Sequence, residues 1–78
     1  MTPEQSRAAR GLLNWTQAEL AKAATVGLST VRSFETGTHT PVPNNLAAMR
    51  GALASAGVSF LADGEPSVGA GVSLHERL

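Results

Sequence analysis

Between Thr16 and Gly37 the sequence changes helical phase once, across Thr25-Val26-Gly27, and that break makes two short helices meet at a tight turn. The first of the pair opens on Thr16 with Glu19 three positions on. This is a capping box, in which each side chain satisfies a backbone N–H that the helix leaves orphaned. Leu20 and Ala21, with Ala24 a turn later, form the apolar face, while Gln17, Glu19 and Lys22 are left for the outside. A face this small lets another helix approach closely. The apolar residues resume at Leu28, Val31 and Phe34, again at helical spacing, which predicts a helix from Leu28 to about Thr36. Gly37 is placed for the left-handed residue that closes many helices. Glycine at 27, in turn, is an acceptable cap and a source of positive φ for the turn.

The flanking segments supply further helices. Thr2-Pro3-Glu4-Gln5 is another opening, with Thr2 as cap, Pro3 at the first helical position and Gln5 completing a capping box. The helix it starts runs to Leu13, ends before Asn14, and offers Ala8, Ala9, Leu12 and Leu13 as its buried side. Trp15 plugs the entrance to the next helix. Thr38-His39-Thr40-Pro41-Val42-Pro43 reads as an extended linker, because each proline restricts the residue before it. Asn44 or Asn45 then caps a fourth helix, whose Leu46, Met49 and Leu53 share one face and which Gly57 terminates. After Gly57 the pattern changes to Val58-Ser59-Phe60-Leu61, a turn-rich stretch from Asp63 to Gly71, and Val72-Ser73-Leu74. Two short strands in a loose hairpin are expected, marginal alone and in need of helices or a second chain to pack on.

The chain has 78 residues, enough for one modest core with little stability to spare. It has no cysteine, so disulfides and thiolate metal sites are excluded and the cytoplasm is the default location. No apolar run approaches a membrane span, and the start lacks a secretory pattern, so a soluble, unprocessed protein is expected. The formal charge is zero but unevenly spread. Through Arg50, the basic Arg7, Arg10, Lys22, Arg32 and Arg50 stand against Glu4, Glu19 and Glu35, a net +2. Beyond it, Arg77 stands against Asp63, Glu65 and Glu76, a net −2. A basic head joined to an acidic tail suits a partner of negative charge met by the head.

The segment Thr16-Gln17 with Glu19-Leu20-Ala21, then Val31 and Phe34-Glu35-Thr36-Gly37, resembles the helix-turn-helix of the Cro and phage-repressor family, also called the xenobiotic-response-element family. The likeness covers roughly residues 5 to 56. It departs from the family where Thr25 stands for the usual glycine and Gly27 for a serine or threonine cap. The C-terminal segment is similar, less specifically, to the strands that end many short relatives. The resemblance implies a mainly α fold of four to five helices with a small C-terminal β hairpin. It also implies a reading domain over residues 1–57 and a C-terminal, dimer-forming β segment over residues 58–78.

By the same resemblance, Leu28, Ser29, Arg32 and Ser33 on the outward side of the third helix meet DNA base edges, with Leu28 suited to a thymine methyl. The plain alternative is a solvated helix face. Arg32 can take a guanine edge or only a phosphate. Thr16 and Gln17 resemble a phosphate clamp at a helix N-terminus, Thr16 through its backbone N–H while its hydroxyl caps. Thr30 is either a phosphate contact or bonded to its own helix; the linker residues Thr38, His39 and Thr40 occupy the place where relatives touch the DNA backbone, although His39 serves equally well as a solvated loop residue. The resemblance pairs Arg10 with Glu35 as a structural clip, and Trp15 and Phe34 read as core.

No reading as an enzyme is supported, because His39 and His75 lack the nucleophile and orienting partner that catalysis needs. Neither has metal-ligand spacing, and Gly64, Gly69 and Gly71 are turn formers, so no cofactor, metal or small-molecule ligand is expected. The expected function is a sequence-specific regulator of transcription, binding a two-fold operator in double-stranded DNA as a homodimer held through Val58, Phe60, Val72 and Leu74. Phe60 is divided between this interface and packing within its own chain. The alternative is an antitoxin or other interaction module whose C-terminal strands grip a partner protein.

Overall fold

The computed structural model describes residues 1–61 and 71–74, so the turn expected between Asp63 and Ala70, with Gly64 and Gly69, and His75 in the tail lie outside the described residues. Four helices are followed by two strands: α1 Pro3–Leu13, α2 Gln17–Ala24, α3 Leu28–Glu35, α4 Pro43–Ser55, β1 Val58–Leu61 and β2 Gly71–Leu74. The fold is thus mainly α with a small antiparallel β pair, as the sequence predicts. The capping boxes at Thr2/Gln5 and Thr16/Glu19 both form, each with its pair of side-chain and backbone hydrogen bonds. α1 stops because Asn14 takes a left-handed conformation at φ 58°.

α2 packs against both α3 and α4, where its small Ala21 and Ala24 permit the close approach. Leu20, Val31, Met49 and Leu53 are fully buried at the centre of the core, with Phe34 beside them and Trp15 packed against its margin. β1 and β2 pair antiparallel, Val58 with Leu74 and Phe60 with Val72. These four side chains alternate onto one face of the pair, and three of them meet the helical core. β1 lies on α4 and β2 on α1.

The structure departs from the sequence reading at four places. α1 buries Gln5, Ser6 and Ala9 rather than Ala8 and Leu12, which are exposed. The polar pair is drawn inward because both side chains find partners there, Ser6 at Glu35 and Gln5 at the strands. α4 opens on Val42 with Pro43 at its first position, and neither Asn44 nor Asn45 caps it. Proline fits that position because its missing N–H would have had no helical acceptor. In the inter-helix turn, positive φ falls on Thr25 itself, at 56°, while Gly27 holds φ −68° and caps α3 without a side chain. Finally, Val58, expected between two copies of the chain, is 3% exposed and belongs to its own chain's core.

Candidate nucleic-acid interface

The outward side of α3 follows from where its apolar residues go. Val31, Phe34 and Glu35 are buried, which turns Ser29, Arg32 and, half-buried, Ser33 to the opposite side. Ser29 and Arg32 are exposed. Leu28 is half-buried and packs against the core, so only part of its side chain shares that face. Thr30 sits at the margin, half-buried beside the linker.

A carboxylate inside the motif holds the reading helix in place. Glu35, the last residue of α3, is 2% exposed and receives Arg10 on both oxygens, with Nη2 at 2.7 Å and Nε at 2.9 and 3.2 Å. Ser6 donates its hydroxyl to the same carboxylate at 2.5 Å, and Gln17 its amide at 3.1 Å. Burial alone would push the Glu35 carboxyl up. The hydrogen bonds from Arg10, Ser6 and Gln17 and the Arg10 charge outweigh it and hold the group below its ordinary range. The bond to Glu35 raises Arg10 in turn, against the cost of its burial. Arg10 also donates to the Trp15 carbonyl at 3.0 Å, and Arg7 donates to the backbone carbonyl of Glu35. The expected Arg10–Glu35 pair is therefore present, and it is the centre of a wider cluster that fastens α1 and α2 to α3. Ser6 and the inward amide of Gln17 escaped the sequence reading. A signal existed, since Ser6, Ala9 and Leu13 fall at helical spacing, but a hydroxyl does not announce itself as buried.

At the α2 entrance, Thr16 gives its backbone N–H to Glu19 at 2.9 Å and accepts the Glu19 N–H at 3.1 Å. The N–H expected to face an anion is thus occupied by the capping box. The N-terminal amides of Gln17 and Ala18 remain as the helix's orphan donors, as in any first turn.

Beyond α3, Gly37 takes φ 77°, which turns the chain back across the helix end. The Ser33 carbonyl accepts the N–H groups of Thr38 at 2.9 Å and His39 at 3.2 Å. Thr36 and Thr38 share a hydroxyl contact at 2.9 Å. These bonds lay the linker alongside α3 and bring Thr38 and His39, both exposed, to the side of the molecule that carries Ser29 and Ser33. Ser29, Thr30, Ser33, His39, Thr40 and Asn45 line an open cleft of about 330 Å³ between α3 and the start of α4.

The described residues contain no cluster of histidines and acids able to hold a metal ion, and no helix long and apolar enough to cross a membrane. A comparison with curated proteins finds no match. The helix-turn-helix family model matches residues 7–54, the span from α1 through most of α4. With α2, its tight turn and the outward face of α3 all inside that span, the chain belongs to the helix-turn-helix family of Cro and phage-repressor type, a family of DNA-binding regulators.

Proposed function

We propose that the chain regulates transcription by sequence-specific binding to double-stranded DNA, as a homodimer on a pseudo-palindromic operator. The observation that carries this reading is α3. It turns three polar residues outward, among them a cation that makes no ion pair among the described residues, while a buried ion-pair cluster fixes its orientation. Helices docked in this way enter the major groove with their outward residues on base edges. Ser29, Arg32 and Ser33 take that role, with Leu28 contributing its exposed portion against a thymine methyl. Arg32 is the strongest discriminator, because a guanidinium can hold guanine O6 and N7 together. The Thr16 hydroxyl, the Gln17 backbone N–H, Thr30, Thr38 and His39 contact phosphates on either side.

Dimerisation follows from magnitude. One such module buries only about 600–1,000 Å² on DNA, and a second module one helical turn away doubles the contacts. The two strands supply the partner surface, through Leu74, still 42% exposed, and the outer edge that each strand of the described pair has. Selection of bound duplexes from a random pool tests the reading. A palindromic consensus with two half-sites is expected. A consensus without symmetry would sink the homodimer, and failure to enrich any duplex would sink DNA recognition.

A further inference from the structure

The cleft between α3 and α4 has an unusual lining for a surface that meets a polyanion. Ser29, Thr30, Ser33, Thr40 and Asn45 contribute neutral hydroxyl and amide groups, Pro41 and Val42 form its apolar wall, and among the described residues His39 is the one titratable group and no acid lines it. The charged groups on the packed elements are Arg32 and Glu35 on α3 and Arg50 on α4. Glu35 faces inward and is neutralised by Arg10, whereas Arg50 lies over the Phe60 ring at 4.6 Å. Other cations are scarce as well. Arg7 is within 3.9 Å of Glu4 and Arg10 is taken by Glu35, so Lys22 and Arg32 are the side-chain cations without an ion pair or ring partner among the described residues. One added positive charge is therefore a large fraction of what the head can set against phosphates.

We infer that this cleft seats a DNA backbone phosphate against the His39 imidazole, so that affinity for duplex grows as His39 is protonated. The inference rests on the DNA-binding reading and adds a regulation to it. The Thr30 and Thr40 hydroxyls and the Asn45 amide, which line the cleft beside the base-reading serines, donate to the phosphate oxygens in either state. A neutral imidazole adds at most one neutral donor, while the imidazolium adds a charge-assisted hydrogen bond and neutralises the phosphate. Histidine changes charge between about pH 5 and 8. The two N–H bonds to the Ser33 carbonyl hold the linker backbone beside α3, where His39 lines the cleft, so this gain needs no rearrangement of the reading helix.

The test is fluorescence anisotropy with a labelled mixed-sequence duplex, run on the full chain from about pH 5 to 8 at several salt concentrations. Affinity should rise several-fold toward acid, and the slope of log K against log salt should steepen by about 0.9 per subunit, the signature of one more phosphate neutralised. His39→Gln should give a flat pH response, and His39→Lys a flat response with the steeper salt slope. A wild-type affinity independent of pH overturns the inference while leaving DNA binding intact. So does a His39→Gln variant that keeps the wild-type pH response, which would assign the titration to another group. Absence of duplex binding throughout the range overturns the DNA-binding reading and the inference with it.

Discussion

Gln17 and Glu35 are joined by a 3.1 Å hydrogen bond from the amide of one to the carboxylate of the other, so the first residue of α2 and the last of α3 share a buried anchor. Removing Arg10 from that anchor leaves a buried carboxylate without its counter-charge. Arg10→Met should cost about 3–5 kcal/mol, whereas Gln17→Ala should cost about 1.5–3 kcal/mol, the range for a bond to a charged group. A double-mutant cycle between Gln17 and Glu35, read by denaturant unfolding, should show a coupling of at least about 0.5 kcal/mol. Additive losses would mean that the two side chains do not interact.

Acid stability should turn on the same carboxylate. Glu35 is held below its ordinary value of 4.5, so at low pH the unfolded chain takes up this proton more readily than the folded one. Its contribution is then fully present above the unfolded value and is lost as pH falls through the folded one. Thermal melts should show the loss below about pH 4.5, and Glu35→Gln should be less stable at neutral pH but nearly free of this acid-side slope. An equal slope in the variant would assign the acid transition to other carboxyls.

Thr25 adopts φ 56°, a conformation that a β-branched residue takes only at a cost. Left-handed geometry costs a non-glycine residue about 1–2 kcal/mol, partly offset by the extra freedom that glycine gives the unfolded chain. Thr25→Gly should therefore stabilise the domain by roughly 0.5–1 kcal/mol and raise its melting temperature by a few degrees. Gly27→Ser places a hydroxyl at the α3 cap and should add a few tenths of a kcal/mol. A lower melting temperature for Thr25→Gly would show that the threonine side chain contributes something the strain argument omits.

Salt dependence offers a check on how the head grips DNA. With Arg32 on a base edge, Lys22 is the cation among the described residues left without an ion pair or ring partner to neutralise a phosphate, so log K against log salt should have a slope of about −1 per subunit at neutral pH, shallow for a DNA-binding protein. Lys22→Ala should flatten it by about 0.9 and weaken all sequences alike. Arg32→Ala should cost roughly 1–3 kcal/mol on the selected operator and relax preference at one base pair per half-site. Unchanged preference in that variant would remove Arg32 from the reading set.

Much of this arrangement was legible in the sequence, for reasons that differ by element. The openings at Thr2 and Thr16 were visible because a capping box is a local bargain between residues three apart. The phase break before Leu28 and the closing glycine at 37 were equally local. The burial of Ser6 and Gln5 was hidden, because each is polar and satisfied only by a residue far along the chain, Glu35 for one and the strands for the other. The left-handed Thr25 was hidden for a different reason: it closes α2 as a C-cap, with the Val26 N–H on the Ala21 carbonyl at 3.0 Å, and a threonine at that place carries no signal of positive φ where glycine would. The inward amide of Gln17 is the clearest case of all. Nothing in residues 16 to 24 distinguishes a glutamine that faces solvent from one that reaches a carboxylate on the next helix.

Gln5 completes the capping box of α1 with its carbonyl and, with its amide, holds the carbonyls of Leu61 at 3.2 Å and Gly71 at 2.9 Å. Its acceptor at Gly71 is added to a growing polypeptide 66 residues after Gln5 itself. Closing so long a loop carries an entropic cost that no local contact repays, which makes this a late step in assembly. A nascent chain halted before β2 would carry an α1 whose inward amide has lost one of its two strand acceptors. In such a chain that amide is open to water, so its bond to the Gly71 carbonyl is made only as β2 docks against α1.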